Sequence, residues 1–126
     1  MNIIDSSCWL EYLMNTEIGA NIAPFIENPN ELIVPTITLY EVYKKLLSEK
    51  GNEYAVDVVS YMQTGTVIEL SADISLSAAD ISRKYKLAMA DSIIYATSLL
   101  HSSIIFSCDK HFKDFPNVQF FPKITI

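Results

Sequence analysis

Positive charge is scarce in this sequence: nine Lys and Arg face fifteen Asp and Glu, a formal net charge of −6. That balance excludes a broad basic footprint, so any nucleic-acid partner must be held by a local patch or through bound cations. Cysteine is scarce as well, and Cys8 with Cys108 is too little for a disulfide scaffold. Three glycines and five prolines leave no material for a long flexible linker, and no repeat or low-complexity tract is present. No apolar run reaches the roughly 20 residues that cross a bilayer. Even Ile93 to Leu100 is interrupted by Thr97 and Ser98. The opening Met1-Asn2-Ile3-Ile4-Asp5 has neither the basic nor the apolar region of an export signal. These absences lead to the expectation of a cytoplasmic protein with no membrane partner.

What is present is core-forming material. Half of the residues are apolar, 19% are charged, and seven Tyr and six Phe are included. At this length the chain reads as one domain over residues 1–126, able to bury about two thirds of its unfolded surface. Asn2-Ile3-Ile4 reads as a strand that ends at Asp5, after which Ser6 and Ser7 offer cap oxygens to a helix carrying Trp9, Leu10 and Leu13. Helical spacing recurs from Ile18 to Ile26, from Thr36 or Thr38 to Lys50 with Gly51 as terminator, and around Ala55, Val58, Val59 and Met62. Two more helices are expected from Ile74 to Tyr85 and from Met89 to His101. Further strands are expected at Glu31–Val34, Thr66–Leu70, Ser103–Ser107 and Val118–Phe121.

Strands separated by helical segments imply crossover connections, hence an α/β fold with a parallel sheet and helices on both faces. In such sheets the ligand site lies beyond the carboxyl ends of the strands, where strand order reverses. Asp5 and Asp109 both follow strands, while Asp91 and Glu41 sit on helices close to a helix start. Each acid has an ordinary structural reading beside the functional one. Asp5 can cap its helix, Asp109 can open a turn, Asp91 can complement a helix dipole, and Glu41 can pair with Lys45 at i,i+4. Zinc is disfavoured because, of Cys8, Cys108, His101 and His111, only Cys108 and His111 have ligand-like spacing.

Four blocks carry a resemblance that covers essentially the whole chain. They are Ile3-Ile4-Asp5-Ser6-Ser7; Val34-Pro35-Thr36-Ile37-Thr38-Leu39-Tyr40-Glu41-Val42; Leu87 through Thr97 around Asp91; and Phe106-Ser107-Cys108-Asp109-Lys110-His111-Phe112. In order and spacing the chain resembles PIN-domain ribonucleases, and among them the small VapC-type toxins of toxin–antitoxin pairs. The resemblance implies a single PIN-like domain with a five-stranded parallel sheet, and an acidic cluster of Asp5, Glu41, Asp91 and Asp109 at one end of it. Four carboxylates in a partly buried pocket need cations to stay ionised, and oxygen donors suit Mg²⁺, with Mn²⁺ able to substitute. The expected activity is metal-assisted hydrolysis of RNA phosphodiesters. Asp5, Asp91 and Asp109 are assigned to the metal directly, and Glu41 directly or through water.

Ser107 matches a hydroxyl position of the family, suited to orienting the attacking water or a carboxylate. Phosphate contacts are expected from Lys110, His111 and Lys113, from Lys44 and Lys45, and from Arg83, Lys84 and Lys86, for which a solvated helix face is the plain reading. Tyr40, Tyr43, Tyr54, Tyr61 and Trp9 read as core or protein interface rather than as base-stacking platforms. The resemblance also implies a homodimer and a cognate antitoxin that places a basic side chain in the acidic groove. Two other readings stand beside the nuclease. One is a catalytically silent PIN-like module that binds RNA or protein, and the other is a receiver-type phosphoacceptor domain.

Overall fold

The structure is a computed structural model that describes residues 1–123; residues 124–126 of the expected domain lie outside the described residues. The chain runs β1 (Asn2–Ile4), α1 (Ser6–Leu13), α2 (Glu17–Ile26), β2 (Leu32–Pro35), α3 (Thr36–Glu49), α4 (Asn52–Met62), β3 (Thr66–Ile68), α5 (Ala72–Tyr85), α6 (Met89–Leu100), β4 (Ile104–Ser107) and β5 (Val118–Phe120). Short 3-10 turns at Pro29–Glu31 and Lys110–Phe112 complete it. The strands form one sheet in the order β3-β2-β1-β4-β5, and every pairing is parallel. The single α/β domain expected from the sequence, with its five-stranded parallel sheet, is therefore what forms.

Alternation along the central strands explains why both faces are covered. Successive side chains of a strand leave the sheet on opposite sides, and β1, β2 and β4 are apolar at both parities, as strands buried on two faces require. Ile4, Val34 and Phe106 face the core that α1 to α4 supply through residues such as Trp9, Ile22, Val42 and Met62. Ile3, Ile33 and Ile105 face the second core, supplied by Ile74 and Ile81 of α5 and Ile94 of α6. The helices pack as consecutive pairs, α1 with α2, α3 with α4 and α5 with α6. The α1–α2 pair is close enough that a Cβ on Gly19 would lie 2.4 Å from the Glu11 carbonyl oxygen, so this position admits only glycine. Gly51, at φ +88°, makes the left-handed break between α3 and α4. Among the described residues no helix is long and apolar enough to cross a membrane.

Several local expectations are corrected. Helix α1 is capped by Asp5, whose carboxylate accepts from the Cys8 N–H, rather than by Ser6 or Ser7, which are already helical. The backbone N–H of Asp5 donates to the Phe106 carbonyl at 3.0 Å, so sheet pairing holds Asp5 extended and makes it the last non-helical residue. Helix α3 has Pro35 at its cap position and no side-chain cap; Thr36 is already helical and the Thr38 hydroxyl is buried without a partner among the described residues. Strand β3 ends at Ile68 rather than Leu70 because β2, its only partner among the described residues, ends at Pro35 opposite Ile68. Ser103 belongs to the turn after α6, its N–H donating to the Ser98 carbonyl, so β4 starts at Ile104. Strand β5 stops at Phe120, where its partner β4 ends at Ser107.

Candidate metal centre

The carboxyl ends of the neighbouring strands β1 and β4 are followed directly by Asp5 and by Cys108-Asp109. Helix α3 leaves the adjacent strand β2 and brings Glu41 to the same end of the sheet, and the first turn of α6 carries Asp91. Four acids distant in sequence thus converge where the sheet's order turns outward from β1 in both directions, the position at which open parallel sheets bind ligands.

Their surroundings differ. Asp5 is 4% exposed, and both of its carboxylate oxygens are spoken for. Oδ1 accepts from the Ser7 hydroxyl and, at 3.2 Å, from the Cys8 N–H, while Oδ2 accepts from the Ser107 hydroxyl. The two serines in turn accept from the backbone: Cys108 N–H donates to Ser7 Oγ at 3.0 Å and Asp109 N–H donates to Ser107 Oγ at 2.9 Å. Each hydroxyl is a relay that ties the end of β4 to the carboxylate after β1. Burial pushes the Asp5 carboxyl above the usual carboxylate range and Asp109 adds to it, while the bonds from Ser107, Ser7 and Cys8 pull it back. Of the two roles expected for Ser107, its geometry matches the orientation of a carboxylate; the side chain is fully buried.

Asp91, Asp109 and His111 form the other half. Single ligand atoms of these three residues lie within 4.8 Å of one another. The His111 Nδ1 stands 2.9 Å from Asp109 Oδ1 and 3.8 Å from Asp91 Oδ2, and the imidazole is largely in solvent. The His111 backbone N–H also donates to Asp109 Oδ1 at 2.9 Å. Asp91 is pushed up to about 7, first by burial and then by the charges of Asp109, Asp5 and Glu41, with His111 opposing. Glu41 is raised by burial and by Asp5 and Asp109, and lowered by a hydrogen bond from Ser6. Mutual repulsion of this kind places all four acids within electrostatic reach of one another, although Asp5 and Glu41 stand outside the tight trio.

The sequence sets His111 among the candidate phosphate contacts; the structure places its Nδ1 against two of the acids, which adds a nitrogen donor to a set expected to hold oxygen alone. Its signal was its place two residues beyond Asp109 on a 3-10 turn that Asp109 itself caps. Cys8 and Cys108 lie with their sulfurs 3.5 Å apart in the core, away from this trio, so no two-Cys, two-His set assembles among the described residues. Among the basic candidates, Lys45 pairs with Glu49 at 3.0 Å rather than with Glu41. Lys44 holds its ammonium 5.7 Å from the centre of the Tyr40 ring, and Lys84 lies over Tyr85 at 5.1 Å. Lys110 and Lys113 are exposed at the turn beside Asp109, and Lys86 caps α5 in a left-handed conformation.

Known proteins supply a frame for this geometry. No curated protein matches the chain by sequence. Among solved structures it is similar to a toxin–antitoxin complex from Klebsiella pneumoniae, at 23% identity and TM-score 0.78, covering 94% of this chain and 96% of that one. It is similar also to VapC20 of Mycobacterium tuberculosis, a sarcin–ricin loop cleaving toxin, at 15% identity and TM-score 0.79, covering 97% and 100%. A DNA-bound VapBC from Salmonella typhimurium follows at 14% identity and TM-score 0.72, covering 95% and 96%. At such identities the likeness is one of fold. The sequence pattern of the PIN domain, however, matches residues 3–118, and the chain belongs to the PIN domain family.

Proposed function

We propose that this chain is a metal-dependent endoribonuclease of the VapC-toxin kind, hydrolysing RNA phosphodiester bonds at the end of the sheet where Asp5, Glu41, Asp91 and Asp109 meet. The observation that carries the reading is the convergence of four carboxylates, in which burial first and then the charges of Asp109, Asp5 and Glu41 push Asp91 up to about 7, with His111 as the one basic side chain in contact with them among the described residues. A fold does not keep such a cluster for stability, because like charges in a half-buried pocket oppose folding.

The donor set fits a divalent cation. Asp91, Asp109 and His111 present ligand atoms within one coordination sphere's reach, and hard oxygen donors favour Mg²⁺, with Mn²⁺ tolerated and even favoured by the imidazole. When bound, the ion supplies positive charge for the phosphodiester and a more acidic water. The protein's own contribution is positional. Ser7 and Ser107 lock the Asp5 carboxylate and tie it to the backbone on both sides of Cys108. The backbone N–H of His111 fixes Asp109. Glu41, restrained by Ser6, is the carboxylate left to receive a proton from water at the mouth of the site.

Toxin–antitoxin complexes among the structural neighbours support a cognate antitoxin as partner; the homodimer rests on the resemblance alone and the cytoplasmic setting on the sequence alone. Membership in the PIN family displaces the receiver-type alternative. A silent RNA- or protein-binding module is disfavoured because all four acids are present and gathered. The test is cleavage of total RNA by the purified chain free of any partner. Activity is expected with Mg²⁺ or Mn²⁺, none in chelator, and none in a folded Asp91→Asn variant. Cleavage that persists in chelator overturns the reading.

A further inference from the structure

One turn apart on α3, Tyr40 and Lys44 look onto a groove that the start of α1 closes from the other side. Its volume is about 400 Å³, and its walls include Ser6, Leu10, Tyr40, Glu41, Lys44 and Lys45. That is within the size range of a small-ligand site. Tyr40 is 59% exposed, an unusual amount for an aromatic in a chain whose Trp9 and Phe112 are wholly buried. Nothing in the core needs its ring, and Lys44 holds a cation near the ring's face instead. The groove also has a fixed relation to the carboxylate centre, because Glu41 belongs to both. Whatever occupies the groove is therefore continuous with whatever reaches the acids.

We infer that this groove is a nucleotide subsite for single-stranded RNA: a base flanking the cut stacks on Tyr40 and its phosphate is met by Lys44. The inference rests on the ribonuclease reading and extends it to the substrate's neighbouring nucleotide. The chemistry matches on each side. An exposed aromatic face accepts any base, a lysine a turn away supplies the charge a phosphate needs, and together they are the pair of features by which proteins hold unpaired strands. Lys44 is suited to this because Lys45 spends its charge on Glu49. A local cation in an otherwise acidic chain is also the kind of patch that a net charge of −6 demands. Of the two places the sequence offered Tyr40, core or protein interface, the structure excludes the core.

The probe is a short fluorescein-labelled single-stranded RNA of mixed sequence, with binding read by anisotropy in Mg²⁺ on the Asp91→Asn chain and cleavage kinetics read in the wild-type background. Tyr40→Ala is expected to weaken binding about tenfold, with Tyr40→Phe close to the parent because the ring and not the hydroxyl does the work. In cleavage, Tyr40→Ala should raise KM with little change in kcat. Lys44→Ala should lower affinity and reduce the salt slope by about one. Since Tyr40 is exposed, an unchanged thermal melt is the control for folding. Equal binding by Tyr40→Ala overturns the subsite and assigns the exposed face to a protein partner, as does equal loss in Tyr40→Phe and Tyr40→Ala. If Asp91→Asn abolishes cleavage while Tyr40→Ala alters neither binding nor KM, the subsite fails and the nuclease stands. If the wild-type chain neither binds nor cuts RNA with metal present, both fail.

Discussion

Asp5 and Asp91 are carboxylates of one cluster, yet they are held in opposite ways. Asp5 is sealed in, with three protein donors on its two oxygens. Asp91 has no hydrogen-bond donor among the described residues other than the approach of His111 at 3.8 Å. The first is part of the scaffold, satisfied whether or not anything binds. The second is left for a partner that the protein does not itself provide. A centre of this kind separates the cost of being built from the capacity to bind, because the repulsion is concentrated on groups that a cation can reach.

The strongest way to break the comparison is to delete each acid in turn. Asp5→Ala and Asp91→Ala are both expected to lower RNA cleavage by about a thousandfold, the scale of losing a group that acts in the transition state. Their effects on folding should have opposite signs at pH 8 without metal. Asp5→Ala removes a helix cap and strands the buried Ser107 hydroxyl and the half-buried Ser7 hydroxyl, a loss of about 1–3 kcal/mol in denaturant unfolding. Asp91→Ala removes a repelled charge and should melt higher than the parent. Equal destabilisation by both would erase the distinction.

Titration sharpens it. Asp91 is raised from 3.8 to about 7 in the folded chain, so folding favours its protonated form. The stability this contributes is complete below about pH 4 and is lost as pH rises through about 7. The metal-free chain should therefore melt at a lower temperature at pH 8 than at pH 5. Added Mn²⁺ should restore the difference at pH 8 and do little at pH 5, where protons compete for the same oxygens. Asp91→Asn should flatten the pH dependence. Calorimetric scans with and without chelator decide it.

Smaller effects follow from the supporting groups. Ser107→Ala leaves every acid in place but frees one side of Asp5, and should reduce cleavage by about ten- to a hundredfold. His111→Ala removes the exposed nitrogen donor and is expected to weaken Mn²⁺ more than Mg²⁺, by about tenfold in titration calorimetry. Equal weakening of the two ions would mean that the imidazole does not ligate.

How far these features were readable in the chain depends on how local they are. The sheet was legible because Ile3-Ile4, Ile33-Val34 and Ile105-Phe106 are apolar at both parities, a pattern that needs helices on both faces. The four acids were legible because each lies in a block of recognisable order. The cap of α1 was not, since Asp5, Ser6 and Ser7 are all competent caps and only the bond from Asp5 N–H to Phe106 selects among them. That His111 meets two of the acids was not legible, because its approach to Asp91 depends on α6 packing against the turn after β4. That Tyr40 stands exposed rather than in the core was not legible, because helical spacing does not say which flank of α3 the sheet will cover.

Strand order also sets when the molecule becomes competent. The Asp5 carboxylate takes one of its donors from Ser107, 102 positions further along the chain, and its companion Asp109 lies further still. During synthesis β1 waits, with one side unpaired, for β4 to emerge. A nascent chain that has already made Asp5, Glu41 and Asp91 holds three of the acids and the local donors Ser7 and Cys8, but not Ser107, which ties Asp5 to the end of β4. Synthesis must pass Asp109 before the four acids can meet at all.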